Sequence, residues 1–184
     1  MNVKIFGIGG CGRNLLNAMI DEGFPPENAV FIDTDINARP SIKSDSFIQL
    51  GKSLYNGLGT GNDPSGGRAA AELSRSEIVE AMRDADVIIL TLGLAGGTGG
   101  GAAPFIASLA HGHIKVTALA VMPVEIEGKC RRENANSALS NLRAVLDKDN
   151  VHIIETSEGT ISAILDTADR LAVKRIKEVL EAIG

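Results

Sequence analysis

The chain has 184 residues, 44% of them hydrophobic and 22% charged, a balance that suits one globular domain with a full core. Its net charge of −5 argues against nucleic acid as a partner, because no basic stripe could neutralise phosphates. We find no signal peptide and no apolar run near the ~18 residues of a transmembrane helix. Only Cys11 and Cys130 occur, which suits a reducing compartment. We therefore expect a cytoplasmic protein.

The first glycine-rich segment, Gly7–Gly12, follows a predicted strand at residues 3–6 and precedes a predicted helix over residues 14–22. It has the pattern G-x-G-x-x-G, and Asp33 follows roughly twenty residues later, after the apolar run 29–32. In dinucleotide-binding folds, such glycines approach the pyrophosphate and such an acid binds a ribose hydroxyl. An NAD-binding oxidoreductase is therefore one hypothesis for this chain.

The second glycine-rich segment, residues 57–64, follows a short predicted strand at residues 47–50. The apolar spacing after it predicts one amphipathic helix from about residue 68 to residue 85. That helix would direct five side chains inward: Ala71, Leu73, Ile78, Val79 and Met82.

The third glycine-rich segment, Gly93–Gly101, has the sequence GLAGGTGGG. It lies between a continuous apolar run at residues 86–92, which predicts a strand buried on both faces, and a predicted helix at residues 102–110. Pro104 would occupy the first turn of that helix. Backbone N–H groups in such a loop can surround an anion, and a helix N-terminus adds partial positive charge. The pattern predicts a polyphosphate site.

All three glycine-rich segments follow predicted strands, and in an open parallel sheet these carboxyl ends lie along one edge. Three loops at one edge could surround a triphosphate, whereas a dinucleotide site needs one glycine loop. The chain contains no G-x-x-x-x-G-K-[ST], so backbone N–H groups, the Thr98 hydroxyl and a metal ion would carry the phosphate charge.

These segments resemble the tubulin/FtsZ family of GTPases. Residues 93–104 are similar to the family signature GGGTG[ST]G with its AAP continuation, and residues 7–14 are similar to the first nucleotide loop. Residues 31–35 resemble the second loop, residues 57–64 the loop that faces the γ-phosphate, and residues 122–131 the segment that ends in EGxxR. The resemblance implies an α/β fold, a Rossmann-like three-layer parallel sheet with helices on both faces and a long C-terminal helix.

The resemblance also implies a GTP or GDP site with Mg²⁺ held through the phosphates, and it assigns no catalytic residue. The first loop would contact the α/β-phosphates and nucleoside, residues 60–62 the γ-phosphate, and residues 97–99 the β/γ-phosphates. Glu127 and Arg131 would contact the ribose and base, and Asp169 would match the base-recognising acid. The implied nucleotide-binding residues are Gly9, Gly10, Cys11, Gly12, Asn14, Asp35, Thr60, Gly61, Asn62, Ala95, Gly96, Gly97, Thr98, Gly99, Glu127, Arg131 and Asp169.

Four positions depart from the family pattern. Ala95 replaces the first signature glycine, Gly100 the second hydroxyl residue, Asp63 an asparagine in the γ-phosphate loop, and Thr156 an asparagine near the nucleoside. The extra carboxylate of Asp63 should repel a dense anion unless a metal ion bridges them. These departures keep a third hypothesis open, a protein-interaction subunit without nucleotide.

Residues 160–184 have apolar side chains at helical spacing and resemble the family's central helix. We expect residues 1–184 to form one GTP-binding domain without the family's second domain and its acidic catalytic loop, so hydrolysis should be very slow. An assembly or regulatory role in cell division or the cytoskeleton is implied. Self-association, or association with another FtsZ/tubulin-like protein, is expected. An exposed apolar stripe on this helix would favour a homodimer, whereas the alternative is that the stripe covers the chain's own sheet.

Overall fold

A computed structural model describes residues 1–110, 114–155 and 161–183, although no side chain is described for residues 161–169, 172 and 183. The strands are β1 (Val3–Ile8), β2 (Ala29–Asp33), β3 (Phe47–Gln49), β4 (Val87–Gly93), β5 (Lys115–Val121) and β6 (Val151–Ile154). The α-helices are α1 (Gly9–Asp21), α2 (Pro64–Leu73), α3 (Arg75–Met82), α4 (Gly97–Leu109), α5 (Lys129–Val145) and α6 (Ile161–Ile183).

The six strands form one parallel sheet in the order β3-β2-β1-β4-β5-β6. Strand β1 pairs with β2 on one side and with β4 on the other. The chain therefore winds outward from β1 to β3, returns to the centre, and winds outward again from β4 to β6. Ligands of such sheets bind outside the carboxyl ends of the strands where the winding reverses, which here is between β1 and β4.

Helices cover both faces of the sheet and create two cores. Helices α1 and α6 pack on one face through a core that includes Leu16, Phe31 and Ile176, all almost completely buried. Helices α2 to α5 pack on the other face around Ile88 and Leu90. Because both faces are covered, the central strands are apolar at most positions, as residues 86–92 predicted. The predicted three-layer α/β fold is confirmed.

Two helices begin earlier than predicted. Helix α1 starts at Gly9 instead of residue 14, and α4 starts at Gly97 instead of residue 102. Much of each predicted glycine loop is therefore the first turn of a helix, and Pro104 lies inside α4 instead of in its first turn. Close packing explains the glycines: a Cβ at Gly12 would collide with the Thr91 carbonyl.

The single helix predicted for residues 68–85 was wrong. The segment forms α2 and α3, which are separated at Ser74, whose backbone N–H bonds to Ala70 and whose hydroxyl accepts the Gly51 N–H. Leu73 is 61% exposed and Val79 is 45% exposed, contrary to the prediction; at 3.6 residues per turn, Leu73 points away from the side of α2 that carries Ala71. The other three predicted core residues of this segment, Ala71, Ile78 and Met82, are buried.

Helix α6 packs against the sheet beside α1. Ile176 is completely buried, and Val173, Val179 and Leu180 are partly buried against the same core. Leu171 is exposed. In the part of α6 whose side chains are described, the apolar stripe therefore covers mainly the chain's own sheet, the second of the two alternatives.

Candidate functional site

A cavity of about 450 Å³ lies at the carboxyl edge of the sheet, next to the first turns of both α1 and α4. All three glycine-rich segments contribute to its wall, as the sequence predicted. The lining residues are Ile8, Gly9, Gly10, Cys11, Asp33, Thr34, Gly59, Thr60, Gly61, Asn62, Gly93, Ala95, Gly96, Gly97, Thr98, Gly99, Val121, Met122, Pro123, Glu127 and Arg131. Two helix N-termini thus direct unsatisfied backbone N–H groups and partial positive charge toward one cavity.

Close backbone packing sets the shape of this cavity. A Cβ at Gly97 would collide with the Thr60 hydroxyl and would lie 2.7 Å from the Asp63 nitrogen, so α4 and the loop before α2 meet without side chains between them. A Cβ at Gly99 would lie 2.6 Å from the Gly93 carbonyl oxygen. At Gly100 a Cβ would collide with the Leu94 carbonyl, so this backbone leaves no space for the family's hydroxyl residue there.

A polar cluster forms the base of the cavity. The Thr34 and Thr98 hydroxyl oxygens are 2.8 Å apart, and Oδ1 of Asp33 accepts the N–H groups of Thr34 at 2.8 Å and Asp35 at 3.2 Å. Burial raises the pKa of Asp33 above its ordinary value, although the two N–H groups and the Arg13 charge oppose that shift. The cavity therefore contains a carboxylate that is poorly solvated and held in place by backbone amides.

A charged pair lines the opposite wall, near the start of α5. Arg131 Nε lies 2.6 Å from Glu127 Oε2, and Glu127 Oε1 accepts the Val124 N–H at 2.9 Å. The Arg131 guanidinium also donates to Asn62 Oδ1 at 3.4 Å. This arrangement links the loop before α2 to α5 across the cavity mouth.

Asp63, the acidic departure from the family pattern, has a local structural role. Its carboxylate caps α2 by accepting the N–H groups of Ser65 at 2.9 Å and Gly66 at 3.2 Å. Asp63 does not line the cavity. Its carboxylate is hydrogen-bonded to backbone amides at the N-terminus of α2, which weakens the argument that it repels a phosphate.

Thirteen of the predicted nucleotide-binding residues line the cavity: Gly9, Gly10, Cys11, Thr60, Gly61, Asn62, Ala95, Gly96, Gly97, Thr98, Gly99, Glu127 and Arg131. Three do not. Gly12 is buried within the first turn of α1, Asn14 is exposed, and Asp35 caps a short 3₁₀ helix through the Asn37 N–H at 2.9 Å. The side chain of Asp169 and the whole of Thr156 lie outside the described residues.

Several residues line the cavity without having been assigned to it from the sequence. Asp33 was considered as a ribose ligand in the dinucleotide hypothesis and as part of the second nucleotide loop, whereas Thr34, Met122 and Pro123 were not singled out within their segments. Thr34 had a weak signal, because a polar residue directly follows a buried strand that ends at this edge. Met122 and Pro123 follow β5 in the same way.

Comparison with models of protein families shows the family to which this chain and its cavity belong. Residues 2–169 match the model of the tubulin/FtsZ family, GTPase domain. The chain belongs to the tubulin/FtsZ family. Membership agrees with the parallel sheet and with the three glycine-rich segments, and the comparisons give no support to the oxidoreductase alternative.

Cell-division proteins are among the relatives of this family member. The chain is 41% identical over 148 residues to the cell division protein FtsZ of Mycoplasmopsis pulmonis, covering 79% of this chain and 37% of the relative. It is 35% identical over an aligned length of 190 residues to the cell division protein FtsZ 1 of Pyrococcus horikoshii, and this match covers 98% of this chain and 50% of the relative. The chain thus spans half or less of the length of these curated relatives.

Solved structures agree with the sequence comparison. An empty FtsZ dimer from M. jannaschii has a TM-score of 0.85 and 31% identity, and the match covers 98% of this chain and 54% of that one. CetZ2 from Haloferax volcanii, described as a GTPγS-bound protofilament, has a TM-score of 0.84 and 25% identity, with coverage of 99% and 59%. In the described part of the chain, none of the helices is long and apolar enough to cross a membrane.

Proposed function

We propose that this chain binds GTP and GDP in the cavity between α1 and α4. The observation that carries the proposal is the convergence of two helix N-termini on glycine-lined space, with Thr98 at its base. The absence of Cβ atoms lets backbone N–H groups approach phosphates closely. Mg²⁺ would be held mainly by the phosphate oxygens, since the described residues contain no cluster of three or more His, Cys, Asp or Glu that could hold a metal.

Guanine selectivity would come from the wall formed by Glu127 and Arg131. Their ion pair offers one carboxylate and one guanidinium at the cavity mouth, which are suitable partners for a ribose hydroxyl and a purine edge. Asp169 stays a candidate for base recognition on the family resemblance alone.

Calorimetric titration with GTP, GDP, ATP and NAD in the presence of magnesium tests this proposal. The wild type is compared with Thr98→Ala, which removes the hydroxyl, and with Thr98→Arg, which fills the cavity. Ser140→Arg adds the same charge on exposed α5 and serves as the control. Guanine-selective binding that Thr98→Arg abolishes and Ser140→Arg retains supports the proposal. Binding of NAD alone, or of no nucleotide, contradicts it.

We further propose that these 184 residues hydrolyse GTP very slowly on their own. The nearby carboxylates already have partners: Asp33 accepts backbone amides, Glu127 pairs with Arg131, and Asp63 caps α2. A general base must be within hydrogen-bond reach of the attacking water, and these groups are held for other contacts. Phosphate release under multiple turnover should stay far below the roughly 1 per second typical of enzymes. Turnover at that rate would contradict slow hydrolysis.

The biological role that fits this site is nucleotide-dependent assembly or regulation connected with cell division or the cytoskeleton. We propose that the partner is a second copy of this chain or another FtsZ/tubulin-like protein, and that the setting is the cytoplasm. Light scattering with GTP, with GDP and without nucleotide tests assembly. A mass that is the same in all three states, alone and with a co-expressed FtsZ, would contradict this role.

A further inference from the structure

The charges on the cavity wall leave one carboxylate without a local counterion. The wall contains Asp33, Glu127 and Arg131 as its charged residues. Glu127 and Arg131 form an ion pair, so their charges largely cancel. Asp33 then faces a cavity that two helix N-termini make favourable for anions, and its negative charge would oppose a polyphosphate. A cation near Asp33 would offset that repulsion.

Arg13 is placed to supply that cation. It lies on α1, one turn after Gly9, and helical side chains lean toward the helix N-terminus. A Cβ at Gly10 would lie 4.0 Å from Nη2 of Arg13, and Gly10 lines the cavity. The Arg13 charge also acts on Asp33 at the end of β2, where it opposes the rise in the Asp33 pKa. The guanidinium thus lies beside a residue that lines the cavity, and its charge acts on the Asp33 carboxylate.

Among the side chains that the structure describes, no acidic group forms an ion pair with Arg13. Arg83 and Arg175, for example, each form an ion pair with a glutamate three residues away. Arg13 forms none with any residue that the structure describes, and its buried Nε has no hydrogen-bond partner there. A guanidinium that forms no ion pair with a described side chain, at the edge of an anion-binding cavity, can form charge-assisted hydrogen bonds with a ligand without breaking such a pair.

We propose that Arg13 is a further nucleotide-binding residue, whose guanidinium contacts the phosphate groups and offsets the charge of Asp33 beside them. The proposal rests on the proposed function, namely that the cavity binds a nucleotide. The planar array of N–H donors on the Arg13 guanidinium suits phosphate oxygens. The competing explanation is purely structural, with Arg13 serving only to lower the cost of burying ionised Asp33.

The ligand's phosphate content separates these explanations. GTP, GDP and guanosine are titrated against the wild type, Arg13→Gln, Arg13→Lys and the control Arg83→Gln, after thermal unfolding has verified that each variant folds. Loss of a charged hydrogen bond should weaken GTP and GDP binding by about tenfold or more, with guanosine binding unchanged. Arg13→Lys should lose less, because it keeps the charge, and Arg83→Gln should match the wild type.

A double-substitution cycle tests the structural explanation directly. In an Asp33→Asn background there is no carboxylate to offset, so a structural Arg13 would no longer affect GTP affinity. We expect Arg13→Gln to retain its roughly tenfold effect in that background. Disappearance of the effect, or unchanged GTP binding by Arg13→Gln alone, would overturn this inference. If the wild type binds no nucleotide, the proposed function fails together with it.

Discussion

Asp33 shows how one carboxylate can shape both stability and binding at the residue scale. Burial raises its pKa, so ionised Asp33 costs free energy in the folded state. A folded-state pKa above the unfolded value means that the folded protein binds the proton more tightly. The contribution of Asp33 to the free energy of unfolding is therefore fully present when the pH is below the pKa of the unfolded state. It is lost as the pH rises through the pKa of the folded state.

We predict that Asp33→Asn stabilises the protein at pH 7. Asparagine keeps an oxygen that can accept the Thr34 and Asp35 N–H groups but has no charge to desolvate. The melting temperature should rise by a few degrees, as about 1 kcal/mol shifts it by about 2–4 °C in a domain of this size. The advantage over the wild type should shrink toward pH 4 in thermal unfolding scans. Exposed Asp45→Asn is the control, and an equal gain there would contradict the prediction.

Cys11 gives a chemical test of the cavity wall. It lines the cavity and is partly exposed, whereas Cys130 is exposed on α5. We predict that alkylation of Cys11 blocks GTP binding, because the added group occupies the cavity, and that bound GTP slows the alkylation. Mass spectrometry on a Cys130→Ser background measures the rate. Equal rates with and without GTP would show that the nucleotide lies elsewhere.

At the scale of elements, close contact between α2 and α4 fixes the site. A Cβ at Gly67 would collide with the Gly97 carbonyl and lie 3.2 Å from the Thr98 Cα. The first turn of α4 is therefore positioned by backbone packing. The sequence showed that glycines concentrate here, but it placed them in loops before the helices, because the neighbouring helix that excludes a Cβ is 30 residues away in sequence.

We predict that Gly67→Ala destabilises the protein by about 1–3 kcal/mol, the usual cost of overpacking, and weakens GTP binding by displacing α4. Gly96→Ala is the control for stability, since the nearest atom to its Cβ would be 3.8 Å away. Denaturant unfolding measures both variants. A similar small change in both would contradict the packing argument.

The contact between β6 and α6 should respond to pH. His152 Nδ1 lies 3.2 Å from Arg175, which also donates to Glu178 at 2.7 Å. Burial, followed by the Arg175 charge, lowers the pKa of His152. Because the pKa of His152 is lowered in the folded state, its contribution to the free energy of unfolding is present when the pH is above the pKa of the unfolded state. It is lost as the pH falls through the pKa of the folded state.

We therefore predict that stability decreases on acidification below about pH 6.5, the ordinary histidine pKa. His152→Gln should reduce that decrease, because glutamine takes up no proton. Thermal unfolding between pH 7.5 and pH 5.5 measures how steeply the melting temperature changes with pH in the wild type and in the variant. An identical pH dependence in both proteins would mean that other groups cause it.

At the scale of the whole molecule, ligand binding should be detectable as an increase in the stability of the folded protein. A nucleotide that binds only the folded state adds about 2.7 kcal/mol at a concentration of 100 times its Kd. We predict that GTP and GDP raise the melting temperature in a concentration-dependent manner, whereas NAD does not. Arg13→Gln should need about tenfold more GTP for the same shift. A shift with NAD alone would contradict the guanine-nucleotide assignment.

The sequence by itself determined the order of strands and glycine-rich segments, the three-layer fold and most residues of the cavity wall. These features depend on local patterns: buried apolar runs, glycine spacing and a signature of adjacent residues, such as Ala95–Gly99. Tertiary structure decided where helices α1 and α4 begin, that Asp63 caps α2, and that Asp33, Thr34 and Thr98 are close together. Those outcomes depend on atoms brought together from separate strands and helices, and spacing along the chain does not encode their distances.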